Sequence, residues 1–212
     1  MYKVAVLAVV ATVALAMPHD FKSLPTTGDF PLPVVPFNFE ATSYQYIYPN
    51  SGTRIVPADK FSSQRYSSSL NKIHEVQGTI DGEGEEVITS VETTDATTRT
   101  AVEWEEAHGC TTAQNVKVNP VNQTIATYFD GFSYAGVQYA PWELTRVKYH
   151  RLDSQGVQYF YKQSNLQLRF FVEIGAEESI VHDFASGLVE RNDFTNADFA
   201  VSQCSAEVAF LQ

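Results

Sequence analysis

Few residues in this chain have the types and spacing that chemistry needs. Cys110 and Cys204 are the only cysteines. An even pair in an oxidising compartment most simply closes a disulfide. Two free or intermolecular thiols are the alternative. A zinc site is disfavoured, because two isolated cysteines lack paired ligand spacing. His108 stands beside Glu105 and Glu106, which reads either as a ligand cluster or as a solvated loop edge. The carboxylate pairs Glu85/Glu86, Glu105/Glu106 and Glu177/Glu178 sit near predicted strand ends. Two acids can hydrolyse a glycosidic bond when held roughly 5–9.5 Å apart across a cleft, but neighbours on a strand face opposite sides. Clustered acids also suit a weak, multi-oxygen calcium site. Calcium is therefore the one ion kept in view, although Asp81-Gly82-Glu83-Gly84-Glu85 lacks EF-hand spacing and no metal ligand set can be named. Asn122-Gln123-Thr124 is an N-glycosylation sequon in a predicted turn after Pro120.

Catalytic signatures are missing from the sequence. It has no Gly-x-Ser-x-Gly elbow, no His-Glu-x-x-His, no Walker loop and no dinucleotide fingerprint. The expectation is a non-enzyme. A net charge of −11 offers no basic patch for phosphates, which argues against nucleic acid and against docking on anionic membranes.

The elements that must position any site begin with a leader. Lys3, the apolar run 4–14 and Ala14-Leu15-Ala16 read as a signal peptide over residues 1–16. The run is shorter than the roughly 20 apolar residues a membrane span requires, and no later segment is apolar enough. The protein is expected to be secreted, without a membrane span. Five prolines in residues 17–36 predict an extended segment, followed by a single β domain over 37–212.

Within that domain the apolar period is two. In residues 166–174, Leu166, Leu168, Phe170, Val172 and Ile174 alternate with Gln167, Arg169, Phe171 and Glu173. This strand is expected to form a hairpin with 157–162 across 163–165. Further strands are predicted over 37–48, 60–67, 73–80, 86–91, 99–105, 114–118, 124–129, 143–150 and 179–184. Turn signals lie at 49–52, 81–84, 130–131 and 153–156. Residues 93–98 read as a polar connection, and 185–196 have room for one helical turn. Ten or eleven short strands predict an all-β antiparallel sandwich or half-barrel, with at most a short helix. The chain carries 11 Tyr, 14 Phe and 2 Trp. These rings either fill a core and its cross-strand pairs or line an apolar cavity between curved sheets.

The order of landmarks resembles the ependymin-related family and, more broadly, secreted relatives of the LolA-like lipoprotein-carrier fold. The residues that carry the resemblance are Ile88-Thr89-Ser90, Trp104 running into Cys110, Tyr128-Phe129-Asp130-Gly131, and Ala135-Gly136. After them come Pro141-Trp142-Glu143, the hairpin 159–161 to 168–171, and Phe194, Asp198-Phe199 and Cys204. The resemblance covers about residues 37–204. It implies two stacked, curved antiparallel sheets around a hydrophobic pocket, lipid-like ligands, and often calcium and glycans. Cys110 and Cys204 stand where a central and a C-terminal cysteine of that family would pair. The chain departs from the family in its small number of cysteines, and the early Gly-x-Trp of lipocalins is absent.

The expected function is binding of a hydrophobic small molecule or lipid in a pocket formed by Tyr159, Tyr161, Leu168, Phe170, Val172 and Trp142. The rival reading is a structural, adhesive or carbohydrate-binding extracellular protein, with calcium as its associated ion.

Overall fold

The computed structural model describes residues 33–50, 54–143 and 147–204. The predicted signal peptide, and residues 17–32 of the predicted leader, lie outside the described residues. Val35, at the leader's end, already packs in the core.

The chain is all-β. Its strands are β1 (Asn38–Pro49), β2 (Val56–Ser67), β3 (Lys72–Ile80), β4 (Glu86–Asp95), β5 (Thr100–Glu105) and β6 (Gly109–Gln114). After the helix α1 (Val121–Ala126) come β7 (Ser133–Tyr139), β8 (Lys148–Ser154), β9 (Val157–Lys162), β10 (Leu168–Ile174), β11 (Glu178–Asp183) and the short β12 (Val189–Glu190). They form one antiparallel sheet in the order β6-β5-β4-β3-β2-β1-β11-β10-β9-β8-β7, with β12 beside β1 and no closure between β6 and β7. Two meanders thus join where β1 meets β11, Tyr46 opposite Val181.

The sheet curls. Tyr66 in β2 and Tyr159 in β9 are four strands apart, roughly 19 Å along a flat sheet. Tyr66 nevertheless packs against the cluster that holds Tyr159, and residues of β1, β3, β8, β9 and β10 share that apolar cluster. The face holding that cluster is the inner face. It continues through Leu152, Tyr159, Tyr161, Leu168, Phe39 and Ile73. The outer face carries two smaller clusters. One is covered by Ala140 and Trp142 over Tyr149, Phe160, Phe170, Val172 and Val181. The other is covered by Val201 and Cys204 over Val76, Val91, Val102 and Trp104.

Several departures from the sequence reading have local causes. Residues 124–129 were expected to be extended, but 121–126 are helical. Val121 and Ile125, spaced i and i+4, bury together on the sheet, and the Asn71 side chain accepts the Val121 N–H at 2.9 Å, capping the helix from another turn. The strand expected over 114–118 lies earlier, as β6, because Trp104 pairs with Cys110. Thr93 and Thr94 belong to β4 rather than to a connection. β7 was not expected; its pairing with β8 shifts between Tyr134 and Val137, where Gly136 takes a φ of +88° that favours glycine. The helical turn expected within 185–196 falls instead at Asn196–Phe199. The hairpin of β9 and β10 and the turns at 81–84, 130–131 and 153–156 are where the sequence reading puts them.

Candidate functional site

The six residues expected to line one pocket fall on two faces. The pairing of β10 with β9 shifts between Leu168 and Phe170. Leu168 therefore lies opposite Tyr161, whereas Phe170 lies opposite Phe160 and Phe171 opposite Tyr159. One extra residue in β10 reverses the alternation. Tyr159, Tyr161 and Leu168 join the inner cluster, while Phe170, Val172 and Trp142 join an outer one. The expectation of a single Leu168–Phe170–Val172 face is corrected accordingly. On the outer side Trp142 packs edge-on against Phe160 and Phe170, with centroids 5.3 and 5.4 Å apart.

On the inner side, α1 and the turn that follows lie over the sheet. Phe129 packs against Tyr159 at 6.0 Å and Tyr161 at 5.9 Å, and Phe132 against Tyr159 at 5.0 Å. Phe171 flanks Tyr159 from β10 at 5.0 Å, and Phe39 stacks on Tyr66 at 4.8 Å. Aromatic pairs at these spacings add to the stabilisation from burial alone.

Polar groups converge beneath these rings. The Tyr159 hydroxyl donates to the Tyr128 hydroxyl at 3.3 Å, and the Tyr66 hydroxyl donates to Glu75 Oε1 at 3.4 Å. Tyr161 is 2% exposed, and its hydroxyl has no hydrogen-bond partner among the described residues. Such an orphaned hydroxyl costs on the order of 1–3 kcal/mol. Burial holds Tyr66, Tyr159 and Tyr161 well above the ordinary phenol range, so all three remain neutral donors.

Beyond Tyr66 the same inner face becomes acidic. Register places Glu75 of β3 directly opposite Glu92 of β4, and Glu92 opposite Glu103 of β5. Like charges in directly opposed positions repel. Burial, reinforced by Glu92, raises Glu75 to about 7. Burial also raises Glu92, against the hydrogen bond from Thr94, and it raises Glu103 together with Glu105. Among the described residues no lysine or arginine pairs with any of these three. His108 pairs with Glu105 at the turn beyond Glu103. The row was not legible in the sequence, because its members are contiguous only through strand register.

The other candidates separate cleanly. Cys110 and Cys204 are disulfide-bonded, with Cα atoms 5.5 Å apart, pinning the C-terminal segment over β4–β6. Asn122 is exposed on α1. Glu85/Glu86, Glu105/Glu106 and Glu177/Glu178 lie at three different turns, between β3 and β4, β5 and β6, and β10 and β11. Among the described residues no group of three or more His, Cys, Asp or Glu is arranged to hold a metal ion; the glutamate row is linear rather than convergent. Two open grooves, of about 380 and 340 Å³, lie away from the inner face. The first is lined by residues such as Lys72, Asp95 and Val201, the second by Arg99 and Lys117. No helix among the described residues is long and apolar enough to cross a membrane.

No family model matches the chain, and no curated protein matches it.

Proposed function

We propose that this is a secreted binding protein, not an enzyme, that holds a hydrophobic, lipid-like ligand on the inner face of its curled sheet. One observation carries the reading. An aromatic-rich buried surface is covered by α1 and the turn after it, and beneath that cover the Tyr161 hydroxyl has no hydrogen-bond partner among the described residues. The segment 121–132 packs on that face through Val121, Ile125, Tyr128, Phe129 and Phe132. A ligand burying about 300 Å² of apolar surface gains roughly 7 kcal/mol before entropic losses. The signal peptide expected over residues 1–16, the disulfide and the resemblance to the ependymin-related and LolA-like proteins support secretion and a lipid-like ligand.

A structural extracellular role is the second reading. The observation in its favour is that Phe129, Phe132 and Tyr159 already fill one another's ring faces. Native mass spectrometry of the protein secreted from eukaryotic cells, before and after delipidation, separates the two. The binding reading expects a stoichiometric mass adduct that delipidation removes. An identical mass before and after, with no uptake of added lipid, supports the structural one.

A further inference from the structure

Among the described residues the sheet does not close, and its two edge strands are β6 and β7. They differ in the devices that ordinarily keep an edge strand unpaired: bulges, prolines and charged side chains. β7 is interrupted by the bulge between Tyr134 and Val137, where Gly136 has its positive φ. β6 runs in unbroken register with β5 from Gly109 to Gln114 and contains neither a proline nor a charged residue. Thr111, Thr112 and Gln114 are exposed, and among the described residues the backbone of β6 bonds to no element but β5. The N–H and C=O groups along its outer side form a template for another strand.

The charges at the two ends of this edge are opposite. The β5–β6 turn carries Glu105 and Glu106, and Glu106 is exposed without a cation partner among the described residues. At the far end Arg99 and Lys117 line one groove, and among the described residues neither pairs with a carboxylate. A two-fold axis at Thr111 sets β6 antiparallel to a copy of itself, threonine against threonine. Each copy's Arg99–Lys117 end then meets the Glu105–Glu106 end of the other. A strand from a different protein would need the same order of charges to fit as well.

We infer that β6 pairs with β6 of a second copy of this chain, continuing the sheet across an antiparallel homodimer contact whose two ends are closed by opposite charges. Opposed threonines and opposite charges both favour such a pairing, and by symmetry each end contact forms twice. A pair of six-residue strands buries less than the roughly 1,200 Å² of a standard interface, so the dimer is weak, with a dissociation constant on the order of 10–100 μM.

Sedimentation equilibrium of the full secreted protein tests this at ~0.15 M salt, where the net charge of −11 is screened beyond about 8 Å. The wild type should dimerise in the stated range. Thr111→Lys, an exposed change that opposes two like charges at the centre of the contact, should weaken the dimer roughly tenfold or more. Lys117→Glu and Glu106→Lys should each weaken it alone, because each sets like charges against one another at both ends. Mixed in equal amounts, these two variants should form a heterodimer of about wild-type affinity, a recovery that a folding defect could not produce. A wild type that stays monomeric well above that range, a dimer that Thr111→Lys leaves intact, or a mixture without recovery would overturn the proposal. Dimerisation only after removal of residues 205–212 would assign the edge to that segment and equally overturn it.

Discussion

Glu75 and His74 are adjacent in β3 and face opposite sides of the sheet, and their titrations oppose each other. Glu75 faces Gln64 and Tyr66 from β2 and Glu92 from β4. Its carboxyl is raised from 4.5 to about 7. Between those values the folded protein keeps a proton that the unfolded chain releases, so stability falls as pH rises. His74 faces Arg65, Thr93 and Phe199 on the outer side, and burial lowers it from 6.5 to about 4. Between those values the unfolded chain takes up a proton that the folded imidazole refuses, so stability falls as pH drops. Replacing Glu75 by glutamine removes the first effect alone. The full shift corresponds to about 3 kcal/mol at 1.36 kcal/mol per pH unit, and partial solvent access to the carboxyl reduces this to ~1–2 kcal/mol. Urea unfolding of the wild type and Glu75→Gln at intervals from pH 4 to pH 8 measures the difference directly. The variant should gain nothing at pH 4 relative to its own baseline and about 1–2 kcal/mol by pH 8, most of the rise falling between pH 5 and pH 7. A stability difference that stays flat across that range refutes the reasoning.

Further expectations concern the elements around the site. Replacing Cys110 and Cys204 together by serine opens a crosslink of 94-residue separation and should cost about 4–5 kcal/mol in the chain-entropy picture, read as a drop in unfolding midpoint that reducing agent reproduces in the wild type. Asn122, exposed on α1, should carry a glycan after passage through a eukaryotic secretory pathway; enzymatic deglycosylation should shift the wild-type mass and leave Asn122→Gln unshifted. Phe129→Ala should lower stability by about 2–3 kcal/mol and raise the fluorescence of an apolar dye by uncovering Tyr159 and Tyr161, whereas unchanged dye binding would show that the cover does not depend on this ring. Gly78→Ala places a methyl group against the Phe61 ring and the Val87 carbonyl, opposite a bulge in β4; a loss of roughly 1–3 kcal/mol is expected, checked by thermal unfolding.

The fold class was readable because strand alternation and turn chemistry are local. Gln163–Asn165 between two apolar runs, and Asp-Gly and Gln-Gly pairs at chain reversals, determine hairpins without distant information. What failed depended on long-range partners. Val121 and Ile125 carry a helical spacing, but within a stretch of β-prone residues only the sheet beneath them, and the cap from Asn71, selects the helix. The face assignment of Phe170 and Val172 was lost to a single extra residue in β10, which no alternation pattern discloses, because Leu168, Phe170 and Val172 remain two apart on either reading. The glutamate row depends on the registers of three strands joined by turns of different length. Each of its members alone resembles an ordinary solvent-facing strand residue.

In the proposed function the inner face, not the outer clusters, receives the ligand. Photolabelling the intact secreted protein with an alkyl diazirine probe, followed by peptide mapping, tests it most directly. Saturable crosslinks are expected within 128–132 and at Tyr159, Tyr161 or Leu168, suppressed by excess unlabelled ligand. Crosslinks concentrated at Trp142, Phe170 and Val172, or labelling that neither saturates nor competes, would contradict it.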